Sequence, residues 1–182
     1  MRVLILNGSA RGQKGITGKL VKAITNGLSE GGAEVKQFEV QDLKISPCNA
    51  CLTCMHNNPG VCAVKDDMEG IYEELKNSQI LIVAAPVYTD NTSAQMKRVI
   101  DRCICCLRPF LTKDQSGRFR HPYTWRMPEK FILLSTAGFP EMETFDPLIA
   151  TFRAQAATFG SKPITEICIP GSIALQMDHG SG

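Results

Sequence analysis

The sequence predicts an α/β fold in which five parallel strands form a doubly wound sheet with helices on both faces. Two patterns lead to this prediction. Short runs of β-branched and other apolar residues, typical of strands buried on both faces, alternate with longer stretches whose apolar residues recur at helical spacing. Strands and helices therefore alternate along the chain, and this order is typical of a parallel sheet, because each parallel connection needs a crossover.

The elements follow in order along the chain. The predicted strands cover residues 3–6, 34–40, 80–85, 131–135 and 164–169. The apolar helical stripes between them cover residues 20–28, 66–75, 96–107 and 146–159. Gly31-Gly32 ends the first helix, and Asp146-Pro147 supplies a cap and a first-turn proline for the last.

We interpret residues 1–182 as a single domain with two irregular regions. Residues 47–63 are a cysteine-rich loop, and residues 108–129, with Gly117, Pro122 and Pro128, are an inserted excursion. Thirteen residues follow Ile169 and include three glycines, so no full helix is expected there. We expect that a partner subunit covers the open face of the sheet or that the chain is truncated.

Composition narrows the class of protein. Hydrophobic residues make up 43% and charged residues 21%, values ordinary for a globular domain, and the net charge of +2 comes without a basic run, which argues against nucleic acid. The N-terminal apolar stretch is too short for a signal peptide, and no stretch is long enough to span a membrane. We therefore expect a cytoplasmic protein whose eight cysteines are not in disulfides.

The loop after the first strand has the chemistry of a phosphate site. Its glycines turn backbone N–H groups inward, Ser9 and Thr17 add hydroxyls, Arg11 and Lys14 add positive charge, and a helix N-terminus follows. Its spacing matches neither the Walker A loop nor the dinucleotide fingerprint. The alternative is an ordinary solvated strand–helix connection.

Two further loops should meet the first at the carboxyl edge of the sheet, where ligands of such sheets bind. After the third strand, Tyr88 can stack on a planar ring, and the backbone around Thr89 can bond to heteroatoms at the edge of that ring. After the fourth strand, residues 136–140 combine a glycine that permits close approach with the aromatic Phe139. The three loops together favour a phosphate site beside a planar-ring site, although Tyr88 packing on its own loop is the alternative.

Four cysteines form the pattern C-x2-C-x2-C-x7-C, at Cys48, Cys51, Cys54 and Cys62. Thiolates at consecutive three-residue steps can converge on one face of an iron–sulfur cluster, as in the compact run of bacterial ferredoxins. A structural zinc site is the alternative, but it usually takes two separated C-x2-C pairs. Unligated cysteines are the third possibility.

The other four cysteines are expected to be structural. Cys103 and Cys106 lie on or near the apolar stripe of their helix, and Cys168 lies in the fifth strand. Cys105 points away from that stripe, and we expect it at a surface or interface. The histidines fit no catalytic triad, and Tyr123 and Trp125 are candidates to cover a site or bind a partner.

Several motifs together resemble those of the iron–sulfur flavoproteins, in the NAD(P)H-dependent FMN reductase group of the flavodoxin-like superfamily. The resemblance is specific over about residues 1–106 and looser beyond. It rests on the four-cysteine run together with Gly8-Ser-Ala-Arg11, Gly18-Lys-Leu20, Asp66-Asp-Met68, Ala85-Pro-Val-Tyr88, Gln95-Met-Lys97 and Asp101-Arg102. The first loop departs from the pattern, with Ser-Ala-Arg where relatives often have Ser-Pro-Arg and one residue more in length.

The resemblance implies a flavodoxin-like fold with FMN as its flavin and the FMN phosphate at Ser9, Arg11 and Thr17. It implies a 4Fe-4S cluster on the four clustered cysteines, and a homodimer or homotetramer in which the cluster of one subunit approaches the FMN of another. The residues expected around the isoalloxazine ring are Pro86, Val87, Tyr88, Thr89, Thr136, Ala137, Gly138 and Phe139.

These expectations lead to three hypotheses. The first is an electron-transfer flavoprotein in which FMN and the cluster exchange electrons with a small-molecule or ferredoxin-like partner. The second is a cluster-free NAD(P)H-dependent FMN or quinone reductase, since related reductases retain part of the cysteine motif. The third is a zinc-bearing interaction module without catalytic activity.

Overall fold

The computed structural model describes residues 1–114 and 116–177. Within them, five parallel strands form the main sheet and two short antiparallel strands form a separate hairpin. The strands are β1 (Arg2–Asn7), β2 (Glu34–Glu39), β3 (Ile80–Pro86), β4 (Thr112–Lys113), β5 (Phe119–Arg120), β6 (Lys130–Thr136) and β7 (Lys162–Ile169). The helices are α1 (Ile16–Glu30), α2 (Met68–Asn77), α3 (Ala94–Arg102), α4 (Asp146–Thr158) and α5 (Ala174–Met177).

The main sheet has the strand order β2-β1-β3-β6-β7, and every neighbouring pair is parallel. This is the doubly wound order of flavodoxin-like folds, whose topological switch point lies between β1 and β3. The predicted fold class is therefore confirmed.

Side chains that alternate along the central strands form a core on each face of the sheet. On one face, Leu4 and Leu6 of β1 pack with residues of α2, α3 and α4. On the other, Val3 and Ile5 pack with Val21 of α1. Because successive strand residues point to opposite faces, a fully apolar strand such as β1 needs helices on both.

The structure differs from the predicted pattern after α3. The apolar stripe continues to Leu107, but the α-helix ends at Arg102 and a 3-10 turn, Cys103–Cys106, follows. The hairpin β4–β5 lies within the predicted excursion. Near the C-terminus α5 has four residues, and residues 178–182, including His179, lie outside the described residues. None of the described helices is long and apolar enough to cross a membrane.

Candidate functional site

The three predicted loops meet in one open cleft at the carboxyl ends of β1, β3 and β6. The cleft is open to solvent, and its cavity volume is about 200 Å³. The predicted residues that line it are Ser9, Arg11, Thr17, Pro86, Val87, Tyr88, Thr136 and Gly138.

One end of the cleft is built to receive an anion. Among the described residues no side chain caps the start of α1, where Gly15 is the N-cap residue, so first-turn N–H groups face the cleft without a capping partner. A Cβ at Gly15 would lie 2.9 Å from Ser9 Oγ, so glycine keeps this space open. Ser9 Oγ accepts a hydrogen bond from the Arg11 backbone N–H at 3.3 Å.

Hydrogen bonds tie the first loop to the strands beside it. The Thr17 and Thr136 hydroxyls, both buried, lie 2.8 Å apart and join the first loop to the third. The Gly8 N–H donates to the Ala84 carbonyl at 2.7 Å, which extends the pairing of β1 with β3 beyond Asn7. The end of the cleft that is suited to an anion is therefore fixed by hydrogen bonds to the strands of the sheet.

The other end of the cleft offers an aromatic ring and exposed backbone. Tyr88 is 44% exposed. Tyr88 and Asn91 exchange two backbone hydrogen bonds around a two-residue turn, in which Thr89 and Asp90 have φ values of 46° and 60°. This conformation is uncommon for residues other than glycine, and such strain concentrates at functional sites.

The remaining predicted residues lie in a second cavity beside the first. Thr89, Ala137 and Phe139 line it, and it shares Val87 and Gly138 with the cleft. Phe139 is 69% exposed. The structure thus brings all the predicted flavin residues to one edge of the sheet, over two adjoining cavities.

Sequence reasoning missed the segment after β7, which closes one side of the cleft. Ser172 and Ile173 line the cleft, and a Cβ on Gly138 would lie 2.9 Å from Ile173 Cδ1. The Ser172 N–H donates to the Ala137 carbonyl at 2.8 Å. Nothing in this short segment signals a ligand, since its position depends on hydrogen bonds to a loop over 30 residues earlier in the chain.

The four clustered cysteines line a third cavity, small and mostly apolar, away from the cleft. Cys48 and Cys51 are exposed, Cys54 is buried and Cys62 is half-buried. The residues between the first three cysteines include Ala50 and Leu52, with φ values of 54° and 53°. These left-handed residues reverse the backbone twice, and the loop turns its thiols toward the shared cavity.

Hydrogen bonds and burial change the pKa of two of these thiols in opposite directions. The Thr53 side chain bonds to the Cys51 sulfur and lowers the pKa of Cys51. Burial raises the pKa of Cys54, and the nearby Cys62 adds to the effect. In the absence of a metal, the exposed Cys51 is therefore the readier of the two to form a thiolate.

Arg102, at the end of α3, closes the base of the cysteine loop. Its side chain is 1% exposed. Its Nη1 donates to the Ser46 carbonyl at 3.0 Å, just before the first cysteine, and its Nη2 donates to the Val64 carbonyl at 3.1 Å, just after the last. Both nitrogens also donate to the Asp66 carboxylate, at 2.9 and 3.2 Å. One buried guanidinium thus joins the two ends of the loop.

Asp66 serves both this ion pair and the backbone. Its carboxylate accepts from the backbone N–H of Ser46 at 2.9 Å and from that of Met68 at 3.1 Å. Burial acts to raise the pKa of Asp66, but the hydrogen bonds from Arg102 and these N–H groups lower it overall. For Arg102, burial acts to lower the pKa, and the bond to Asp66 raises it overall. Both groups are therefore charged at neutral pH.

The expectation for Cys105 is wrong. Cys105 is fully buried, and its side chain contacts that of Cys54. Burial raises the pKa of Cys105 to about 12. The physical reason is the 3-10 turn after α3, which advances each side chain by about 120° rather than 100° and turns Cys105 inward. The cysteine cavity therefore has a fifth thiol behind its ligand candidates.

The excursion packs against the cysteine loop. Gly60 has a φ of 82°, and a Cβ there would lie 2.6 Å from Thr124 Cγ2. The Trp125 indole N–H donates to the Gly60 carbonyl at 3.2 Å, and its ring meets that of Tyr72 at 5.9 Å between centroids. Trp125 therefore covers the cysteine loop rather than the cleft at the ends of β1, β3 and β6.

The chemistry of the cysteine cavity suits a thiolate-bound cluster. Four thiols line it, its other lining side chains are mostly apolar, and buried Arg102 contributes a positive charge. Across the described residues, no group of three or more His, Cys, Asp or Glu side chains is close enough to hold a single metal ion. Four thiols around one mostly apolar cavity are the kind of donor set that a thiolate-bound cluster would use.

Comparison with known proteins agrees with the predicted fold and family. Residues 1–123 match the family of NADPH-dependent FMN reductases. An FMN-dependent NADH-azoreductase from Bacillus anthracis, solved in complex with FMN, superposes with a TM-score of 0.69 at 12% identity, over 94% of this chain and 87% of that one. This likeness concerns the fold.

Two curated relatives are iron–sulfur flavoproteins. The one from Archaeoglobus fulgidus is 46% identical over 76 residues, which are 42% of this chain and 38% of the relative. The one from Methanosarcina thermophila is 32% identical over 118 residues, which are 64% of this chain and 60% of the relative. The chain thus matches about half the length of these relatives. The family match covers most of the chain, and the protein belongs to the NADPH-dependent FMN reductase family.

Proposed function

We propose that this protein is an FMN-dependent oxidoreductase that binds the flavin in the cleft at the ends of β1, β3 and β6. The observation that carries the proposal is that an uncapped helix N-terminus and an aromatic loop lie at the two ends of one cleft. FMN has this division, with an anionic phosphate at one end and a planar ring at the other.

The proposed role of the cleft residues is to bind FMN and to orient its ring. The first turn of α1, with Ser9, Arg11 and Thr17, takes the phosphate through N–H and hydroxyl donors and positive charge. Tyr88 packs on the ring, and the strained turn at Thr89 and Asp90 presents backbone groups to its edge. When bound, FMN exchanges two electrons and an iron–sulfur cluster exchanges them one at a time.

Flavin binding is tested by titration of the protein with FMN, followed by quenching of flavin fluorescence. We expect binding at one site per chain, with riboflavin, which lacks the phosphate, bound more weakly. Equal affinity for FMN and riboflavin would refute the phosphate assignment. Oxidation of NADH and NADPH by the FMN-loaded protein then identifies the electron donor.

We further propose that Cys48, Cys51, Cys54 and Cys62 hold a 4Fe-4S cluster. The supporting observation is that the four thiols line one mostly apolar cavity beside the buried Arg102. A structural zinc site is the alternative, but it usually takes two separated C-x2-C pairs rather than three cysteines at consecutive three-residue steps. The two iron–sulfur flavoprotein relatives add to this support.

The cluster is tested by anaerobic purification and quantification of iron, acid-labile sulfide, zinc and FMN per chain. We expect about four irons, about four sulfides and one FMN per chain, with a broad visible band beneath the flavin peaks. FMN without iron would refute the cluster and favour the cluster-free reductase. Zinc without flavin would favour the zinc-bearing interaction module.

The exchange of electrons with partners is part of the same proposal. NAD(P)H is the proposed donor, and a small molecule or a ferredoxin-like protein is the other redox partner. The second cavity, lined by exposed Phe139 beside Val87 and Gly138, suits a flat apolar substrate next to the ring. A homodimer or homotetramer is the proposed assembly, and sedimentation of the FMN-loaded protein tests it.

A further inference from the structure

Arg102 leaves one hydrogen-bond donor unused in a place where this is costly. A guanidinium has five N–H donors, and the four on Nη1 and Nη2 match the four acceptor contacts at the base of the cysteine loop. The fifth, on Nε, is buried and has no hydrogen-bond partner among the described residues. A buried donor on a charged group that remains unpaired is strongly unfavourable, so it calls for an explanation.

The surroundings of Arg102 indicate what the missing acceptor is. Arg102 lines the cysteine cavity together with all four cysteines. Asn49 is the one other lining side chain with an acceptor, and its Oδ1 already accepts from the backbone N–H of Cys51 at 3.2 Å. The Tyr72 hydroxyl lies beside the guanidinium, but Nε forms no hydrogen bond with it. The remaining acceptors in the lining side chains are sulfur atoms. A thiolate, or a sulfide of a bound cluster, carries negative charge and accepts N–H hydrogen bonds.

We propose that Arg102 is a positioning residue for the cluster, and that its Nε–H donates a hydrogen bond to a sulfur of the cluster or of a ligating cysteine. The inference rests on the proposed cluster and adds a role for a residue outside the ligand set. Through Nη1 and Nη2, Arg102 fixes the separation between the two ends of the cysteine loop. Through Nε, it stabilises negative charge on sulfur.

This role has a consequence for redox chemistry. Hydrogen bonds to cluster sulfurs and nearby positive charge favour the more negative, reduced state, so they raise the reduction potential. Asp66 neutralises part of the charge of Arg102, but it does not replace the Nε–H donor. A lysine at position 102 keeps a positive charge but has no Nε–H and no planar fork.

The first measurement uses the wild-type chain. The protein is labelled with arginine carrying ¹⁵N at Nε, loaded with its cluster, reduced, and studied by pulsed electron paramagnetic resonance. We expect a ¹⁵N hyperfine coupling to the cluster, because Arg102 is the arginine that lines the cavity. A cluster with full iron content and no such coupling would overturn the inference and leave the proposed cluster intact.

The second measurement compares Arg102→Lys with Arg98→Lys, an exposed arginine one turn earlier on α3. We expect Arg102→Lys to lose the ¹⁵N coupling and to shift the midpoint potential of the cluster to a more negative value, with Arg98→Lys unchanged in both. A residual cluster in Arg102→Lys at the wild-type potential would show a merely structural role and refute the proposal. If that variant does not fold, the ¹⁵N coupling in the labelled wild type still tests the proposal. A wild type that takes up no iron refutes the proposed cluster, and the inference with it.

Discussion

The flavin cleft and the cysteine loop differ in what holds them in place. The loops of the cleft continue directly from the strands and are bonded to them, as Gly8 is to Ala84 and Val87 is to Thr136. The cysteine loop, residues 47–63, and its flanking residues from 43 to 67 contain no helix and no strand. Its two ends are joined to α3 by the buried side chain of Arg102.

This difference has consequences for tolerance to change. A cleft held by backbone hydrogen bonds keeps its shape when one side chain changes, because every neighbouring strand contributes to it. A loop held by one buried ion pair is sensitive to either partner, since removal of one charge leaves the other buried without compensation. We therefore expect the two regions to respond separately to mutation.

The largest expected effect is the loss of all cluster iron in the double variant Cys51→Ser, Cys54→Ser. Two of four thiolates are removed, whereas the flavin cleft shares no lining residue with the cysteine cavity. FMN affinity should stay within about twofold of wild type, as for distant, independent sites. Iron analysis and FMN titration measure the two effects, and Cys168→Ser in β7 is the control. Loss of FMN along with iron would show that the regions are coupled.

Next comes Asp66→Asn, which leaves the Arg102 guanidinium buried without its carboxylate. We expect the free energy of unfolding at pH 7 to fall by about 3–5 kcal/mol, measured by urea titration. The matched control is Asp101→Asn, which removes an exposed pair with Lys97 and should change stability by about 0.5 kcal/mol or less. Equal losses in the two variants would contradict the role of the buried pair.

The same pair gives a pH dependence of known sign. The pKa of Asp66 is lower in the folded protein than its ordinary value of 3.8. Its contribution to stability is therefore complete above that value and is lost as the pH falls through the folded pKa. Wild type should lose stability below about pH 4 by this route, and Asp66→Asn should lack this part of the loss.

A smaller effect is expected for Gly15→Ala in the cleft. The added methyl would lie 2.9 Å from Ser9 Oγ, in the space proposed for the phosphate. If one charge-assisted hydrogen bond is lost, FMN affinity falls by about 10–100-fold, while iron content stays unchanged. The control is Gly27→Ala on the same helix, where a Cβ meets no atom within 4 Å. Unchanged FMN affinity in Gly15→Ala would remove the phosphate from this position.

The smallest expected effect concerns thiol reactivity in cluster-free protein. Because the pKa of Cys51 is lowered and that of Cys54 is raised, iodoacetamide should modify Cys51 first at neutral pH. Thr53→Val removes the hydroxyl that bonds to Cys51, so its modification should slow by a few-fold and its pH profile should move to higher pH. Mass spectrometry of timed samples measures both. Faster modification of Cys54 would contradict this order.

Local patterns along the chain predicted most of the fold because the fold depends on burial. Residues 80–85 are apolar without interruption, and the strand that forms there, Ile80–Pro86, is buried on both faces. The helix predicted from Asp146-Pro147 begins at Asp146 and has its proline in the first turn, but its N-cap residue is Phe145, and no side chain of the described residues caps it. The wrong prediction for Cys105 has an equally local cause. The apolar spacing of residues 96–107 is the same for a continuous α-helix and for an α-helix that ends in a 3-10 turn.

The type and order of residues were enough to indicate a candidate phosphate loop, an aromatic loop and a run of candidate metal-binding cysteines, because each depends on side chains close together in sequence. The roles of Arg102 and of Ser172 with Ile173 emerge only from tertiary structure. Arg102 lies 36 residues from Asp66, and the C-terminal segment reaches the cleft by bonding to Ala137. An arginine or an isoleucine has many ordinary places in a fold, and only packing decides which of them it takes. The four-cysteine run was thus recognisable from spacing, but the group that holds it in shape was visible only after the chain had folded around it.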